Sequence, residues 1–198
     1  MTDTLTVIGH TRTRTIRVLW LLEEMGLPYT HIPARPGSDE ARVYNAAGKV
    51  PVLLVGDAAL TDSTAILTWL ADRGHRFTYP AGSLERARQD GFTLLILDEI
   101  EGLLWTAARH SFVLPEEMRL PAIKDSLKWE FTRNQARLAA RLGDAAFLMG
   151  DHMTVPDILL TQCLAWAASA NFPETEPNLT AYRERLRARP AYQRAAAM

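Results

Sequence analysis

The sequence has little of several features that would point to a particular class of protein. Among its 198 residues only Cys163 is a cysteine, which excludes an internal disulfide and a CxxC metal or redox pair. The 22 basic and 23 acidic residues give a net charge of −1, so neither nucleic acid nor an anionic membrane surface is expected as a partner. We also expect no bound metal ion.

Long hydrophobic runs are missing as well. No apolar stretch approaches the roughly 18–20 residues that span a bilayer. The opening segment MTDTLTVIGH lacks a cationic stretch followed by an apolar one, and so it is unlike a secretory signal. The sequence therefore predicts a cytoplasmic protein. Its 47% of apolar residues suffice for one or two compact domains.

The first part of the chain alternates between short apolar runs and helical periodicity. The predicted order is strand, helix, strand, helix, strand, strand, helix, at residues 5–8, 14–26, 29–32, 39–45, 52–55, a short strand after the Gly56-Asp57 turn, and 63–73. This order predicts an α/β thioredoxin-like N-terminal domain over residues 1–77, with its sheet between helices.

The rest of the chain is predicted to be helical. A linker is expected at residues 78–84, and an all-α helical bundle C-terminal domain over residues 85–198. Its predicted helices are 83–110, 121–142, 155–170 and 178–187, followed by a frayed end at 195–197. Thr154 and Asp157 form a capping box at the start of the third of these helices, which we expect to be buried.

Residues 46–71 contain two features that favour ligand binding. Pro51 has no N–H group and therefore marks a strand start or edge, which leaves the Val50 backbone free for another partner. Asp62 or Ser63 caps the next helix. The free N–H groups and positive dipole end of that helix form a ready site for a carboxylate.

This segment resembles the glutathione-binding element of the glutathione S-transferase family. Residues 17–29 resemble the first helix and second strand of that family, residues 150–157 its C-terminal capping motif, and residues 177–190 its final helix. The resemblance implies the two-domain glutathione S-transferase fold, glutathione as co-substrate, a homodimer and a role in detoxification.

The resemblance also implies glutathione-binding residues. In the family, a valine before a cis proline offers its backbone to the cysteinyl part of glutathione, which here implies Val50 and Pro51. An acidic residue followed by serine at a helix start holds the γ-glutamyl amine and carboxylate, which implies Asp62 and Ser63. Lys49 is a candidate for the glycine carboxylate, and the alternative is a solvated lysine.

Glutathione chemistry needs a thiolate near neutral pH. A site that lowers the thiol pKa by about two units supplies roughly 3 kcal/mol of differential stabilisation. The Ser-Arg pair that is common in the family falls on Thr13-Arg14, so Thr13 is the first candidate for the catalytic hydroxyl and Thr11 the second. Threonine departs from the usual serine. The alternative is that Thr13 and Thr15 cap the first helix.

The second substrate is expected to contact residues late in the first long helix. The candidates are Trp105, Arg109, His110 and Phe112. The alternative is that aromatic residues at this spacing belong to the core. The predicted activity is attack of the glutathione thiolate on a small hydrophobic electrophile. A glutathione-dependent isomerase, dehalogenase or peroxidase, or a non-catalytic binding or regulatory protein, stays open as an alternative.

Overall fold

The computed structural model describes residues 4–198. The chain forms two compact units. The first contains the chain up to Pro80 together with the C-terminal segment Arg187–Met198, and the second is formed by Ala81–Leu186. The first unit has the predicted α/β architecture and the second is helical. The predicted domain ranges, 1–77 and 85–198 around a linker at 78–84, remain a proposal about independently folding parts.

The first unit is built on a four-stranded sheet in the order β2-β1-β3-β4. Its strands are β1 (Leu5–Ile8), β2 (Thr30–Ile32), β3 (Val52–Val55) and β4 (Ala58–Thr61). Its helices are α1 (Thr15–Met25), α2 (Asp39–Tyr44) and α3 (Ser63–Gly74), and α9 (Pro190–Ala196) returns to it at the end of the chain. β1 is parallel to β2 and antiparallel to β3, and β3 is antiparallel to β4.

The strand register brings three separate loops to one end of the sheet. Ile8, the last residue of β1, lies opposite Val52, the first residue of β3. Val52 in turn lies opposite Thr61, the last residue of β4. The loop after β1, the Val50-Pro51 segment and the start of α3 are therefore neighbours, as a candidate binding site requires.

Helix α9, which follows the predicted helices, was not predicted, and the expected frayed end was wrong. Tyr192 of α9 packs edge-on against Trp20 of α1, with ring centroids 5.1 Å apart. Arg189 donates two hydrogen bonds to the Glu24 carboxylate, at 2.5 and 2.8 Å. Ala195 has 0% exposure. The last residues are ordered because α9 packs against α1 and forms ion pairs with it.

The Glu24 carboxylate makes the stability of this unit depend on pH. Burial opposes its ionisation, but hydrogen bonds from Arg189 and Trp20, together with the positive charges of Arg189 and Arg194, lower the pKa of Glu24 from 4.5. A carboxyl whose pKa is lowered by folding contributes stability above its unfolded pKa, and this is lost as pH falls through the folded pKa.

We expect Glu24→Gln to lower the free energy of unfolding by about 1 kcal/mol at pH 7, because a charge-assisted pair with a partly exposed arginine is lost. The difference from the parent should begin to shrink as pH falls below the unfolded pKa of a glutamate, about 4.3, and should disappear once pH has fallen through the lower folded pKa. Thermal unfolding of both proteins between pH 7 and pH 3 measures this. A difference that stays constant across that range would contradict the assignment.

The second unit consists of α4 (Leu84–Leu95), α5 (Gly102–Ala108), α6 (Ile123–Leu142), α7 (Val155–Ser169) and α8 (Pro177–Arg187). The predicted first long helix is one helical run, but it contains two wider π-helical turns, Ile96–Glu101 and Arg109–Val113. A short 3₁₀ turn, Glu116–Met118, falls in the gap before α6. Across residues 4–198, no helix is both long and apolar enough to cross a membrane.

The predicted capping box is present at the start of α7, and it is more extensive than expected. Asp157 has 0% exposure. Its carboxylate accepts hydrogen bonds from the N–H and hydroxyl of Thr154, from the Leu148 N–H and from the Tyr182 hydroxyl, at 2.6–2.9 Å. Burial raises the pKa of Asp157, and these four donors oppose that rise. The carboxylate thus connects three segments of the helical unit.

Candidate functional site

The loop after β1 lies directly against the Val50 segment. Gly9 has a φ of +141°, and a Cβ added there would lie 2.1 Å from the Thr15 hydroxyl oxygen and 2.9 Å from the Val50 Cβ. Real Cβ atoms do not approach other atoms this closely, so glycine is required by both space and backbone conformation. Gly9 allows the start of α1 and the Val50 segment to meet.

Hydrogen bonds to β2 hold the same loop. The Gly9 N–H donates to the Ile32 carbonyl at 3.0 Å. The His31 Nε2 lies 2.7 Å from the Gly9 carbonyl, which can only accept, so this nitrogen carries the hydrogen. The loop therefore has a defined position before any ligand is bound.

The hydroxyl of Thr13 is fully used within the protein. Its oxygen lies 2.7 Å from the His10 carbonyl, to which it must donate its one hydrogen. It accepts from the Thr15 N–H at 3.2 Å, and the Thr15 hydroxyl lies 2.9 Å away. Since the Thr13 hydrogen is engaged, Thr15 is the donor in that contact. The alternative predicted from the sequence was that Thr13 and Thr15 cap the first helix. The N-cap residue of α1 is instead Arg14, which makes no side-chain capping bond, and Thr13 holds the turn before the helix through the His10 carbonyl.

Thr11 is in a different situation. Its side chain is half-buried, and within residues 4–198 its hydroxyl has no hydrogen-bond partner. The neighbouring Arg12 is exposed, and its N–H donates to the His10 Nδ1 at 3.1 Å. Of the two predicted catalytic hydroxyls, Thr11 is therefore the one whose hydrogen is not already donated to the protein.

The Val50-Pro51 peptide bond is cis, which confirms that prediction. Val50 is half-buried and packs against a buried apolar cluster that includes Ile8 and Val52, while Pro51 is buried. Lys49 is exposed, and its carbonyl accepts a hydrogen bond from the Asn45 side chain at 3.0 Å. The role of Lys49 in binding a carboxylate stays a prediction.

Asp62 is the residue that caps α3. Its carboxylate Oδ1 accepts from the N–H groups of Thr64 and Ala65, at 2.8 and 3.1 Å. The residue is exposed and has a φ of +69°, a conformation that is uncommon for a residue other than glycine. Because both capping bonds go to Oδ1, the Oδ2 atom can still accept a hydrogen bond from a ligand.

Ser63, next along the chain, has an interaction that the sequence did not predict. It is only 2% exposed, and its hydroxyl oxygen accepts a hydrogen bond from Nη1 of Arg17 at 3.2 Å. Arg17, on α1, has 0% exposure. Sequence reasoning had treated Arg17 only as part of the first helix. The available signal was a cation inside an otherwise apolar run, since such residues are rarely buried without a polar partner.

The second-substrate candidates share one helical run of the second unit. Trp105 lies on α5 and is half-buried, and the next three candidates lie on the π-helical turn Arg109–Val113. Arg109 donates to the Thr106 hydroxyl at 3.2 Å, and the His110 Nδ1 accepts from the Leu120 N–H at 3.1 Å.

Phe112 is 70% exposed, so it is not a core residue. Whether these side chains bind a substrate stays a prediction.

In the part of the chain that the structure describes, no group of three or more His, Cys, Asp or Glu is placed to hold a metal ion.

Comparison with known proteins identifies the family. Residues 13–73 match the family model of the glutathione S-transferase N-terminal domain, and residues 106–190 match that of the C-terminal domain. The chain belongs to the glutathione S-transferase family. The two matches cover more than half of the chain. The first lies within the α/β unit, and the second lies mainly on the helical unit and extends four residues into the last segment of the α/β unit.

Individual glutathione S-transferases extend this result. The chain is 33% identical over 168 residues to glutathione S-transferase theta-2 of Rattus norvegicus, covering 76% of this chain and 65% of that protein. It is 26% identical to a glutathione transferase from Methylococcus capsulatus, with a TM-score of 0.86 over 98% of both chains.

A third relative is a theta-class glutathione S-transferase from Xanthomonas axonopodis pv. citri. It is 28% identical, with a TM-score of 0.79, and covers 99% of this chain and 98% of its own. That protein was crystallised with glutathione bound. The match thus spans 98% of the crystallised Xanthomonas chain, but only 65% of the length of the rat theta-2 relative.

Proposed function

We propose that this glutathione S-transferase binds glutathione at the end of its sheet and transfers the glutathione thiolate to small hydrophobic electrophiles. The observation that carries the proposal is the register that brings the loop after β1, Val50 and the start of α3 together. In the reaction, the sulfur forms a bond to an electrophilic carbon of the substrate. The leaving group departs with its electron pair, or an unsaturated acceptor takes up the pair and is protonated.

Each part of glutathione has a complementary group in this arrangement. The Oδ2 atom of Asp62 faces the γ-glutamyl amine, while the N–H and hydroxyl of Ser63 bind the adjoining carboxylate at the positive end of α3. The Val50 backbone pairs with the cysteinyl part. Lys49 contacts the glycine carboxylate. Binding at these points would place the sulfur beside the loop after β1, where holding the reactants together contributes several kcal/mol.

The thiolate hydrogen bond is the part of the proposal with two candidates. Thr13 was the first candidate from the sequence, but its hydrogen is donated to the His10 carbonyl, whereas that of Thr11 is not donated within residues 4–198. Because a hydroxyl has only one hydrogen to donate, the geometry favours Thr11 as the group that stabilises the thiolate. Thr13 then shapes the loop that carries it.

We expect Thr11→Ala to raise the thiol pKa of bound glutathione by about one unit and to lower turnover at pH 7 about tenfold, because a hydrogen bond to a charged group is lost. Thr11→Ser should retain both properties. Thr13→Ala is the comparison, and it should weaken glutathione binding without moving the pKa. Thiolate absorbance of the complexes against pH measures the shift.

The opposite pattern, a shift for Thr13→Ala and none for Thr11→Ala, would make Thr13 the donor. A shift in neither variant would remove the hydroxyl from the mechanism. The N–H groups at the start of α1, or Arg12 and Arg14, would then be the remaining candidates.

Two assays test the proposed activity. Retention on glutathione resin and elution by free glutathione would show binding. Formation of a conjugate from glutathione and an activated aryl halide would show transfer. A protein that is retained on the resin but shows neither conjugation nor activity toward peroxide or isomerisation substrates would be a non-catalytic binding protein. Absence of retention would contradict the proposal itself.

The homodimer and the cytoplasmic location that the family resemblance implies are part of the same proposal. Analytical ultracentrifugation tests the dimer. A species that stays at the 22.1 kDa mass of one chain at all concentrations would contradict it.

A further inference from the structure

The hydrogen bond between Arg17 and Ser63 connects α1 to the start of α3. Arg17 has 0% exposure and Ser63 2%. Their Nη1 and Oγ atoms lie 3.2 Å apart, although the two residues are 46 positions apart in the sequence. A guanidinium keeps its charge in proteins, and burying such a group is costly unless it forms hydrogen bonds. This contact therefore places a buried cation directly behind the proposed carboxylate subsite.

We propose that Arg17 is a positioning residue for this subsite, which holds the Ser63 hydroxyl in the orientation that binds the γ-glutamyl carboxylate. The inference rests on the proposed glutathione site. Arginine can only donate hydrogen bonds, so its contact occupies a lone pair of the Ser63 oxygen. The hydrogen of that hydroxyl is then left for the ligand. Arg17 acts through Ser63 and does not itself touch glutathione.

Two further properties of the contact fit this role. Ser63 exposes very little surface, so a small displacement of its side chain would remove the hydroxyl from reach of a ligand. A charged donor also polarises the hydroxyl, which makes it a stronger donor to a carboxylate. Both effects should change binding of the ligand carboxylate and leave the thiol pKa unchanged. The carboxylate is bound by Ser63 at the start of α3, whereas Thr11 and Thr13 lie on the loop after β1.

The test compares two ligands that differ by one group. Glutathione is compared with the analogue in which 4-aminobutyryl replaces γ-glutamyl, so that only the α-carboxylate is missing and the amine remains. We expect Arg17→Met to weaken glutathione binding about tenfold, because this is the size of effect expected when one charge-assisted hydrogen bond is lost. Binding of the analogue should change less than about twofold. Calorimetric titration measures both affinities.

Three variants separate positioning from folding. Arg17→Lys keeps a cationic donor and should recover part of the preference for glutathione over the analogue. Val18→Ala truncates the neighbouring fully buried residue of α1 and should affect both ligands equally. In a chain that carries Ser63→Ala, adding Arg17→Met should have no further effect on that preference, because the two residues act together. Should Arg17→Met not fold, Arg17→Lys and Ser63→Ala alone should each show a reduced preference.

The outcomes distinguish this inference from the proposed function. If the Arg17 variants weaken both ligands equally, or weaken neither, Arg17 is not a positioning residue, while the glutathione site stands. If the parent protein binds neither ligand, the proposed function is wrong, and the role of Arg17 falls with it. A KM for glutathione that rises in Arg17→Met while kcat and the thiol pKa are unchanged would support the inference.

Discussion

Replacing Asp62 and Ser63 together by alanine should weaken glutathione binding at least about 100-fold. Two hydrogen-bonded contacts to charged groups of the ligand are lost, and each is worth about 1.5–3 kcal/mol. Asp62 is exposed, and its capping bonds to Thr64 and Ala65 contribute about 1 kcal/mol to stability, so the fold should survive the change. Calorimetric titration with glutathione gives the affinity, and circular dichroism checks the fold.

The matched control for this double variant is Ser38→Ala. Ser38 caps α2 by accepting the Ala41 N–H at 3.3 Å, so its loss costs a similar helix cap outside the proposed contacts. Its glutathione affinity should stay within about twofold of the parent. If the Asp62 and Ser63 double variant binds glutathione as tightly as the parent, the site has been assigned to the wrong residues.

Asp157→Ala should lower the free energy of unfolding by about 3–5 kcal/mol. An ordinary helix cap contributes only about 1 kcal/mol. The structure shows a buried carboxylate with four donors, and its removal leaves those donors without their acceptor. Urea unfolding curves measure the difference.

Tyr182→Phe is the graded control for this prediction. It removes one donor, the Tyr182 hydroxyl at 2.6 Å, and leaves the other bonds to Asp157 in place. We expect a loss of about 1 kcal/mol. If Asp157→Ala costs no more than Tyr182→Phe, the carboxylate is an ordinary cap and not the centre of a buried network.

Local sequence signals predicted the α/β unit well. β1 and β3 have the predicted bounds, and α3 begins at the predicted residue, because apolar runs and capping residues act over a few positions. Helix α9 was missed because it is seven residues long and lies against α1. The partners Arg189 and Glu24 are 165 positions apart, a distance over which a sequence pattern carries no signal.

In the candidate site, too, features set by local sequence could be predicted, whereas features set by long-range contacts could not. The positions of Val50, Pro51 and Asp62 could be inferred because proline and a capping aspartate have strong local preferences. The preference for Thr11 over Thr13 could not be inferred from the sequence, because it depends on which of the two hydroxyls donates its hydrogen to the His10 carbonyl. Arg17 was overlooked for a related reason, since its partner Ser63 lies on another helix.

A crystal structure of the protein with glutathione tests the central claim most directly. We predict that the γ-glutamyl end lies at Asp62 and Ser63, that the cysteinyl backbone pairs with Val50, and that the sulfur lies nearest the hydroxyl of Thr11. Glutathione bound elsewhere, or an empty sheet end in crystals saturated with glutathione, would contradict the account.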